Sequence, residues 1–523
     1  MITCAGIGGR CIGGGWAALV LAGVACSIEV AAAVQTLLLV DDHEILYRPG
    51  TKRVLQQVKR HPQAVIVPDK PWEGQIAYCS VHRDPATGRF QLWYQGYGGG
   101  GGGKICYAES ADGLRWIKPE FDLHPHAKGA KTNIVLPGGS NSYSAAVVFD
   151  PRDPDPARRY KMAKWEMPNG YVAPWPGLYV AFSPDGIRWT RYARPDSPPP
   201  IPRGNYDLAQ LPLVHGDYGR KGDPPFQNDP EDKTGSPLSV SDVIDVAYDP
   251  PRELFMIFAK TWIDGPNGQS WKRAVVRTDS KDFIHWSKPQ LALAPDEHDG
   301  ITPGAYGGSR TGVQLHGGPA FFHKGIYFCL LQVVDYERTG GMPVELAISR
   351  DGYNWSRPFR GDWFIPITHG RDFDGGWIMS NATPVMLSDE IRFYYGGYET
   401  PWNAYAPGYK FTGVGLGTLP MDRFAAIRPL DRIGQVTFKP RDLRAFSSLT
   451  LNADASRGAI RVEVLDDGYR IPGFTKADSI PIESDSLRHR VAWKGRTLRD
   501  LPPGRHMLRV HLENAELFAL TLE

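Results

Sequence analysis

The chain has few cysteines, and they are scattered. Six occur in 523 residues, and three of these fall within the first 33 residues. The other three, Cys79, Cys106 and Cys329, each lie in a strand-like run. Such spacing supports neither a disulfide framework nor a zinc site. We therefore expect three buried free thiols and predict no metal site.

The sequence also carries little net charge and shows neither helical periodicity nor a phosphate-binding loop. The formal net charge is +2, with acidic and basic residues interspersed, so the sequence lacks the basic patch of a nucleic-acid-binding protein. No long amphipathic helical pattern is present. The glycine run 98–103 is followed by no Lys-Ser, Lys-Thr or helix, which argues against a phosphate-binding loop. With 58 glycines, 45 prolines and 11% aromatic residues, the composition predicts an all-β protein.

One long apolar run stands near the N-terminus. Residues 16–26 are apolar, Arg10 precedes them, and a run of small residues ends at Ala33. This pattern is typical of an export signal, so we predict a signal peptide over 1–33 and a secreted or periplasmic protein. The alternative is an uncleaved membrane anchor. It would place Glu29 in lipid at an energetic cost.

A seven-residue pattern, Ser-x-Asp-x-x-x-Trp, occurs four times, and we name it the Trp turn. The copies span 110–116, 183–189, 280–286 and 349–355. Ser and Asp side chains commonly bond nearby backbone amides, and three copies place Gly after the Asp. Intervals of about 70 to 100 residues are too long for helical repeats and suit propeller blades with insertions. These aspartates are predicted to be structural.

A predicted β-hairpin lies upstream of each Trp turn. In three hairpins the turn begins with Asp-Pro, at Asp84, Asp150 and Asp249. A fourth hairpin turns at 323–325, and a fifth, which lacks a Trp turn, turns at 388–390. Five hairpins predict five blades.

The predicted domains follow from these units. A five-bladed β-propeller is expected over residues 71–430. Residues 34–70 form an N-terminal extension or supply a closing strand. Beyond them, evenly spaced alternating strands without Trp turns predict a C-terminal β-sandwich over 431–523.

The repeat also gives the propeller a polarity. In an up-and-down blade, the Asp-Pro turns and the Trp turns lie on one rim, which we name the turn rim. The opposite rim collects the starts of the innermost strands and the ends of the second strands. Side chains there converge on the central channel, so functional residues are predicted on that rim.

Acidic residues on the opposite rim are the candidates for catalysis: Glu73, Asp242, Glu345 and Asp374. Several carboxylates around one funnel suit the cleavage of a glycosidic bond. That reaction needs an acid to protonate the leaving oxygen and a carboxylate that acts as nucleophile or base. The alternative is that these acids pair with Lys260, Arg310 and Arg371 and bridge the blades.

Polar and aromatic residues of the same rim are the candidates for substrate binding: Trp72, Gln75, Asn141, Tyr143, Lys260, Arg310, His316 and Trp377. Together with Trp262, the two tryptophans would offer sugar-stacking faces, although packing at a blade edge is the commoner role. His316 has no second His or Cys at ligand spacing, so it is not predicted to bind a metal. No cofactor is predicted, and the presence of a central-channel ion is left open.

Five blades, acids at the starts of inner strands, Asp-Gly-x-x-Trp turns and an appended sandwich resemble the five-bladed propeller glycoside hydrolases. Family 32 is the most similar in architecture, and family 43 is more distant. The stretch Pro71-Trp72-Glu73-Gly74 is similar to the Trp-Met-Asn-Asp-Pro-Asn-Gly segment that opens blade one in family 32, with Glu73 in the Asp position. That family's Arg-Asp-Pro and Glu-Cys signatures have no equivalent, so fructan specificity is not implied.

The sequence therefore predicts a secreted glycoside hydrolase that cleaves a poly- or oligosaccharide with paired carboxylates in the funnel. The partner is a carbohydrate, with no nucleic acid and no membrane beyond the anchor alternative. A non-catalytic propeller that binds carbohydrate or protein is the first alternative. The second is a sialidase-like enzyme, which would need an arginine triad; Arg203, Arg310 and Arg371 are available.

Overall fold

A computed structural model describes residues 34–523 except 99–100, 127–128, 139–141, 167–176, 197–201, 204–205, 208–211, 217–237, 266–268, 300–311, 336–337, 370–371 and 401–411. Within these ranges the protein is all-β, apart from four short 3-10 helices at Pro156–Arg158, Glu297–Asp299, Leu443–Ala445 and Leu498–Asp500. It is a five-bladed β-propeller joined to a β-sandwich, as predicted. In the described part, no helix has the length and hydropathy of a membrane span.

Four strands precede the blades: β1 (Gln35–Leu38), β2 (Ile45–Tyr47), β3 (Thr51–Leu55) and β4 (Lys59–Arg60). Blade one comprises β5 (Gln75–Arg83), β6 (Phe90–Gly98), β7 (Gly101–Ser110) and β8 (Trp116–Ile117), with β9 (Ile134–Leu136) paired to β7. Blade two comprises β10 (Ser142–Phe149), β11 (Tyr160–Glu166), β12 (Gly177–Ser183) and β13 (Thr190–Arg191). The two-stranded β14 (Pro202–Arg203) and β15 (Tyr206–Asp207) follow, and β16 (Val214–His215) pairs with β12.

Blade three comprises β17 (Ile244–Asp249), β18 (Leu254–Gly265), β19 (Gln269–Ser280) and β20 (Gln290–Leu293). Blade four comprises β21 (Gln314–Gly317), β22 (Ala320–His323), β23 (Ile326–Val334), β24 (Val344–Ser349) and β25 (Trp355–Ser356). Blade five comprises β26 (Trp377–Met379), β27 (Val385–Met386), β28 (Glu390–Tyr398) and β29 (Thr412–Pro420). Its outermost strand is β4, which pairs with β29 and so closes the ring with an N-terminal strand.

The sandwich consists of two sheets. One has the order β3, β30 (Ala425–Pro429), β37 (Glu516–Leu522), β32 (Leu449–Asp454), β35 (Asp485–Arg490), with β1 paired to β37. The other has the order β2, β31 (Ile433–Phe438), β36 (Met507–Glu513), β33 (Ala459–Asp466), β34 (Tyr469–Arg470). The sandwich differs from the predicted range 431–523 because it also takes β30 and three strands from the N-terminal extension.

The Trp turns have the predicted chemistry. In the first copy, Ser110 Oγ lies 3.0 Å from Asp112 Oδ1, and that oxygen accepts the N–H groups of Leu114 and Arg115, each at 2.8 Å. Each turn also docks on the preceding blade. The Gly186 carbonyl oxygen, for example, accepts the indole N–H of Trp93 at 2.6 Å. Blade five has no Trp turn. In its place, Asp422 is hydrogen-bonded to His323 of blade four.

The sandwich packs against the turn rim of blades four and five. Arg350, in the fourth Trp turn, pairs with Asp41 at 2.6 Å, and Arg488 pairs with Asp389 in the fifth hairpin turn at 2.9 Å. Buried apolar residues of both domains, including Phe328 and Ala519, share one core cluster. The opposite rim, where the innermost strands begin, lies away from these contacts.

Candidate functional site

A buried ion pair recurs in four of the five blades, as far as the described residues go. A cation in or just beyond the fourth strand meets a carboxylate inside its own blade. The pairs are Lys118–Glu73 at 2.6 Å, Arg191–Glu166 at 2.6 Å, Arg357–Glu345 at 2.6 Å and Arg60–Asp374 at 2.9 Å. In three of these blades the cation stands two residues after the Trp of the Trp turn. Each pair ties the outermost strand to the interior of the blade.

The predicted catalytic residue Glu73 belongs to this set. Its side chain is buried, accepts the Tyr94 hydroxyl and pairs with Lys118. Trp72 beside it is 4% exposed and donates its indole N–H to Asn133 Oδ1 at 2.9 Å. Both residues lie in the packing of blade one and not in the funnel. Their predicted positions are corrected for that reason.

Glu345 and Asp374 are held in the same way. Arg357 donates to both oxygens of Glu345, at 2.6 and 3.0 Å, and Glu345 is fully buried. Asp374 is 1% exposed and accepts from Arg60 at 2.9 Å and from the Tyr395 hydroxyl at 2.8 Å. A carboxylate that is shielded from solvent and already paired stabilises a blade by holding its partner, and removing it leaves a buried charge. The structure therefore does not bring these two predicted catalytic residues to the funnel.

Blade three is built differently. Its cation at the same offset, Lys288, is exposed and has no acidic partner among the described residues. The blade's acid, Asp242, instead pairs with Lys260, and its side chain keeps 34% exposure. Burial tends to raise the pKa of Asp242, but Lys260 and then Arg273 hold it below its usual value. Asp242 is thus an ionised, partly exposed carboxylate just before the innermost strand of blade three.

Tyrosines from blades one, two and five gather around Tyr97, which lies close to Asp242. The rings of Tyr97, at the end of β6, and Tyr143, at the start of β10, have centroids 6.2 Å apart. Burial raises the pKa of Tyr97 well above its ordinary value, and the proximity of Tyr78, Tyr398, Tyr143 and Asp242 raises it further. Of the predicted binding residues, Tyr143 is therefore brought to the neighbourhood of Asp242.

A cationic and aromatic wall lines blade three. Trp262 lies directly opposite Arg273 in the β18–β19 pair, and Lys260 is two residues before Trp262 on the same face. Lys260 Nζ is 5.5 Å and Arg273 Cζ is 5.1 Å from centroids of the Trp262 ring. These are cation–π distances. The predicted binding residue Lys260 thus lies against Trp262 and pairs with Asp242.

His316 and Trp377 form the adjoining wall in blades four and five. Their ring centroids are 5.0 Å apart in an edge-to-face arrangement. Trp377 is 2% exposed, so it is packed in the wall and does not offer the sugar-stacking face that was predicted for it. His316 is 7% exposed, and neither ring nitrogen has a hydrogen-bond partner among the described residues. Burial, with Lys260 and Arg273 nearby, holds the pKa of His316 well below its usual value, so the ring is neutral.

Three predicted binding residues remain: Gln75, Asn141 and Arg310. Gln75 is the first residue of β5, is partly buried and lies opposite Tyr97 in the sheet. Asn141 and Arg310 lie outside the described residues.

A second carboxyl group of blade three crosses the channel. Asp245 Oδ1 accepts the N–H of Val246 at 2.8 Å, and Oδ2 accepts the N–H of Ala382 in blade five at 3.1 Å. Blades three and five are not neighbours in the ring, so this bond spans the channel. Burial raises the pKa of Asp245 to about 8, although the two N–H groups lower it. The carboxyl is therefore protonated at neutral pH.

Sequence reasoning missed Arg273 and the ion-pair pattern of the blades. Arg273 has a signal, because it stands in an alternating strand that pairs with the Trp262 strand. The ion pairs also have a sequence signal, which is a basic residue two positions after Trp116, Trp189 and Trp355. In the part of the chain that the structure describes, no three His, Cys, Asp or Glu side chains converge as a metal site.

Comparisons with known proteins give a fold likeness. No family model and no curated protein matches the chain. A solved structure described as a glycoside hydrolase is similar at 13% identity and TM-score 0.43, covering 72% of this chain and 92% of the other. The catalytic domain of the GH62 α-L-arabinofuranosidase of Coprinopsis cinerea is similar at 13% identity and TM-score 0.40, covering 70% and 98%.

An N-acetylgalactosamine deacetylase from F. plautii is similar at 13% identity and TM-score 0.42, covering 71% of this chain and 96% of the other. At these values the likenesses carry no argument about activity or substrate. The resemblance to family 32 stays a prediction from the sequence.

Proposed function

We propose that this protein is a glycoside hydrolase that binds a saccharide in the propeller funnel and uses Asp242 as its ionised carboxylate. One observation supports this most strongly. The buried acids of four blades are neutralised by fourth-strand cations, whereas Asp242 is partly exposed beside the channel. A carboxylate kept ionised at a funnel mouth suits a nucleophile or general base.

A hydrolase of this kind also needs a proton donor. Glu399 follows the end of β28 at the rim of blade five, next to Tyr398, and is partly exposed. No ion pair or hydrogen bond of its side chain occurs among the described residues. We assign it the role of general acid, which protonates the glycosidic oxygen while water or Asp242 attacks the anomeric carbon. The two carboxyl groups would have to stand about 5–5.5 Å apart for retention, or about 6.5–9.5 Å apart for inversion.

Paired variants test these roles. Asp242→Asn should abolish hydrolysis of both natural saccharides and activated aryl glycosides, because attack or base catalysis is lost. Glu399→Gln should abolish hydrolysis of natural saccharides but leave aryl glycosides with acidic phenol leaving groups largely cleavable, because these need no protonation. The matched control is Lys288→Gln, an exposed cation of the same blade. Equal activity of Asp242→Asn and the parent protein would refute the proposal.

A saccharide-binding propeller without catalysis is the second candidate. It is favoured by the neutralised state of the other predicted catalytic acids. Calorimetry separates the two, because a binding protein would take up saccharide with no release of reducing ends. The sialidase-like alternative rests on Arg310 and Arg371, which lie outside the described residues, and on Arg203, whose side chain is not described.

A further inference from the structure

The cleft between blades three and four has chemistry beyond that of a neutral sugar site. Lys260 and Arg273 lie on one face of β18 and β19 and flank Trp262. His316 of blade four faces the same cleft, because its strand β21 packs against β18 and β19. Both cations lower its pKa. Among the residues that the structure describes, Asp242 supplies the carboxylate of this cleft, and it pairs with Lys260. The cleft therefore carries two permanent cations beside Asp242.

His316 supplies the observation that points to a ligand. It is 93% buried, and its two ring nitrogens have no partner in the described part of the chain. A buried polar group without a partner costs about 1–3 kcal/mol, so such groups are commonly completed by water or ligand. A neutral imidazole offers one N–H donor and one acceptor. Its N–H can donate to an oxyanion that the neighbouring cations attract.

We propose that this cleft is a subsite for an acidic sugar, whose carboxylate or sulfate group is held by Lys260, Arg273 and the N–H of His316. The inference rests on the proposed function, because it gives the substrate class of the same funnel. Arg273 is suited to the role because its planar guanidinium can bind a carboxylate or sulfate through two parallel N–H donors. Trp262 would pack against the ring that carries the anionic group.

Binding of matched sugars tests this subsite. Glucose, glucuronate and glucose 6-sulfate are titrated into the full-length protein at low and high salt, with calorimetry and saturation-transfer NMR as readouts. We expect at least tenfold tighter binding of one acidic sugar than of glucose, with the preference reduced at high salt. The acidic sugar that binds more tightly identifies the anionic group: glucuronate indicates a carboxylate, and glucose 6-sulfate indicates a sulfate. Equal or tighter binding of glucose would overturn the inference.

Variants separate this subsite from the hydrolase proposal. Arg273→Gln should remove most of the preference for the acidic sugar while glucose binding persists, and Arg273→Lys should retain part of it. Lys288→Gln, which removes an exposed cation outside the cleft, is the matched control and should change nothing. An Arg273→Gln variant with an undiminished preference would overturn the subsite. Hydrolysis of neutral glycans without any preference for acidic ones would overturn the subsite and leave the hydrolase proposal standing. Binding of acidic sugars without hydrolysis of any glycan would overturn the hydrolase proposal and leave the subsite standing.

Discussion

The Asp245 carboxyl group should make the protein less stable as the pH rises through neutrality. Its pKa is raised from 3.8 to about 8 in the folded protein. Between these two values the folded protein holds a proton that the unfolded chain has released. The stability contribution of the protonated group is therefore complete below pH 4 and is lost as the pH rises towards 8.

The magnitude follows from proton linkage. Each pH unit inside the window lowers the free energy of unfolding by about 1.4 kcal/mol for one group. From pH 5 to pH 7 the loss amounts to about 2–3 kcal/mol from Asp245 alone. Other groups titrate as well, so the contribution has to be isolated by comparison with a variant that cannot ionise.

Asp245→Asn is that variant. The amide nitrogen cannot accept a hydrogen bond, so either the Val246 or the Ala382 N–H loses its acceptor, at a cost of about 1–3 kcal/mol. The variant should be less stable than the parent protein at pH 5. It should gain about 2–3 kcal/mol relative to the parent between pH 5 and pH 7, so that its deficit shrinks or is reversed.

Guanidinium unfolding followed by tryptophan fluorescence at pH 5, 6, 7 and 8 measures this difference. The control is Asp242→Asn in the same blade. The pKa of Asp242 is lowered, so its folded and unfolded values both lie below pH 5, and the difference from the parent should stay constant over the same range. Parallel curves for Asp245→Asn and the parent protein would refute the reasoning, because they would mean that Asp245 ionises alike in both states.

Three further outcomes are expected. Asp242→Asn should lower kcat by about a hundredfold or more, and it should also lower Tm because the buried Lys260 loses its partner. Glu345→Gln should lower Tm in the same way, since Arg357 loses a buried counter-charge, but it should leave kcat of the folded protein unchanged; comparable losses of kcat for both would contradict this. Asp112→Ala removes three accepted hydrogen bonds and should cost about 1 kcal/mol or more, with kcat unaffected, as measured by thermal unfolding and kinetics. Deletion of residues 34–60 removes strands from both domains and should give insoluble protein, and a soluble active truncation would count against the closure by β4.

The blades were predictable because each carries local turn chemistry. The Trp turns and Asp-Pro turns are short-range signals, and Asp112 shows the expected bonds. The strand β4 was harder to identify, since two residues carry no period and their partner lies far along the chain. Of the four predicted catalytic acids, Asp242 alone keeps exposure beside the channel. The other three, Glu73, Glu345 and Asp374, form ion pairs with cations from the outer strands, and only the three-dimensional fold brings such pairs together.

The closure of the ring by an N-terminal strand has a consequence for the order of folding. Thr418 of blade five bonds Lys59 across 359 residues, and Thr36 lies against Thr521 across 485. Contacts of such long sequence separation form slowly, since a large loop has to close first. During synthesis the first strands emerge without partners and wait until the last strands have been made. They expose unpaired edges in that interval, so the nascent chain would depend on chaperones that cover them.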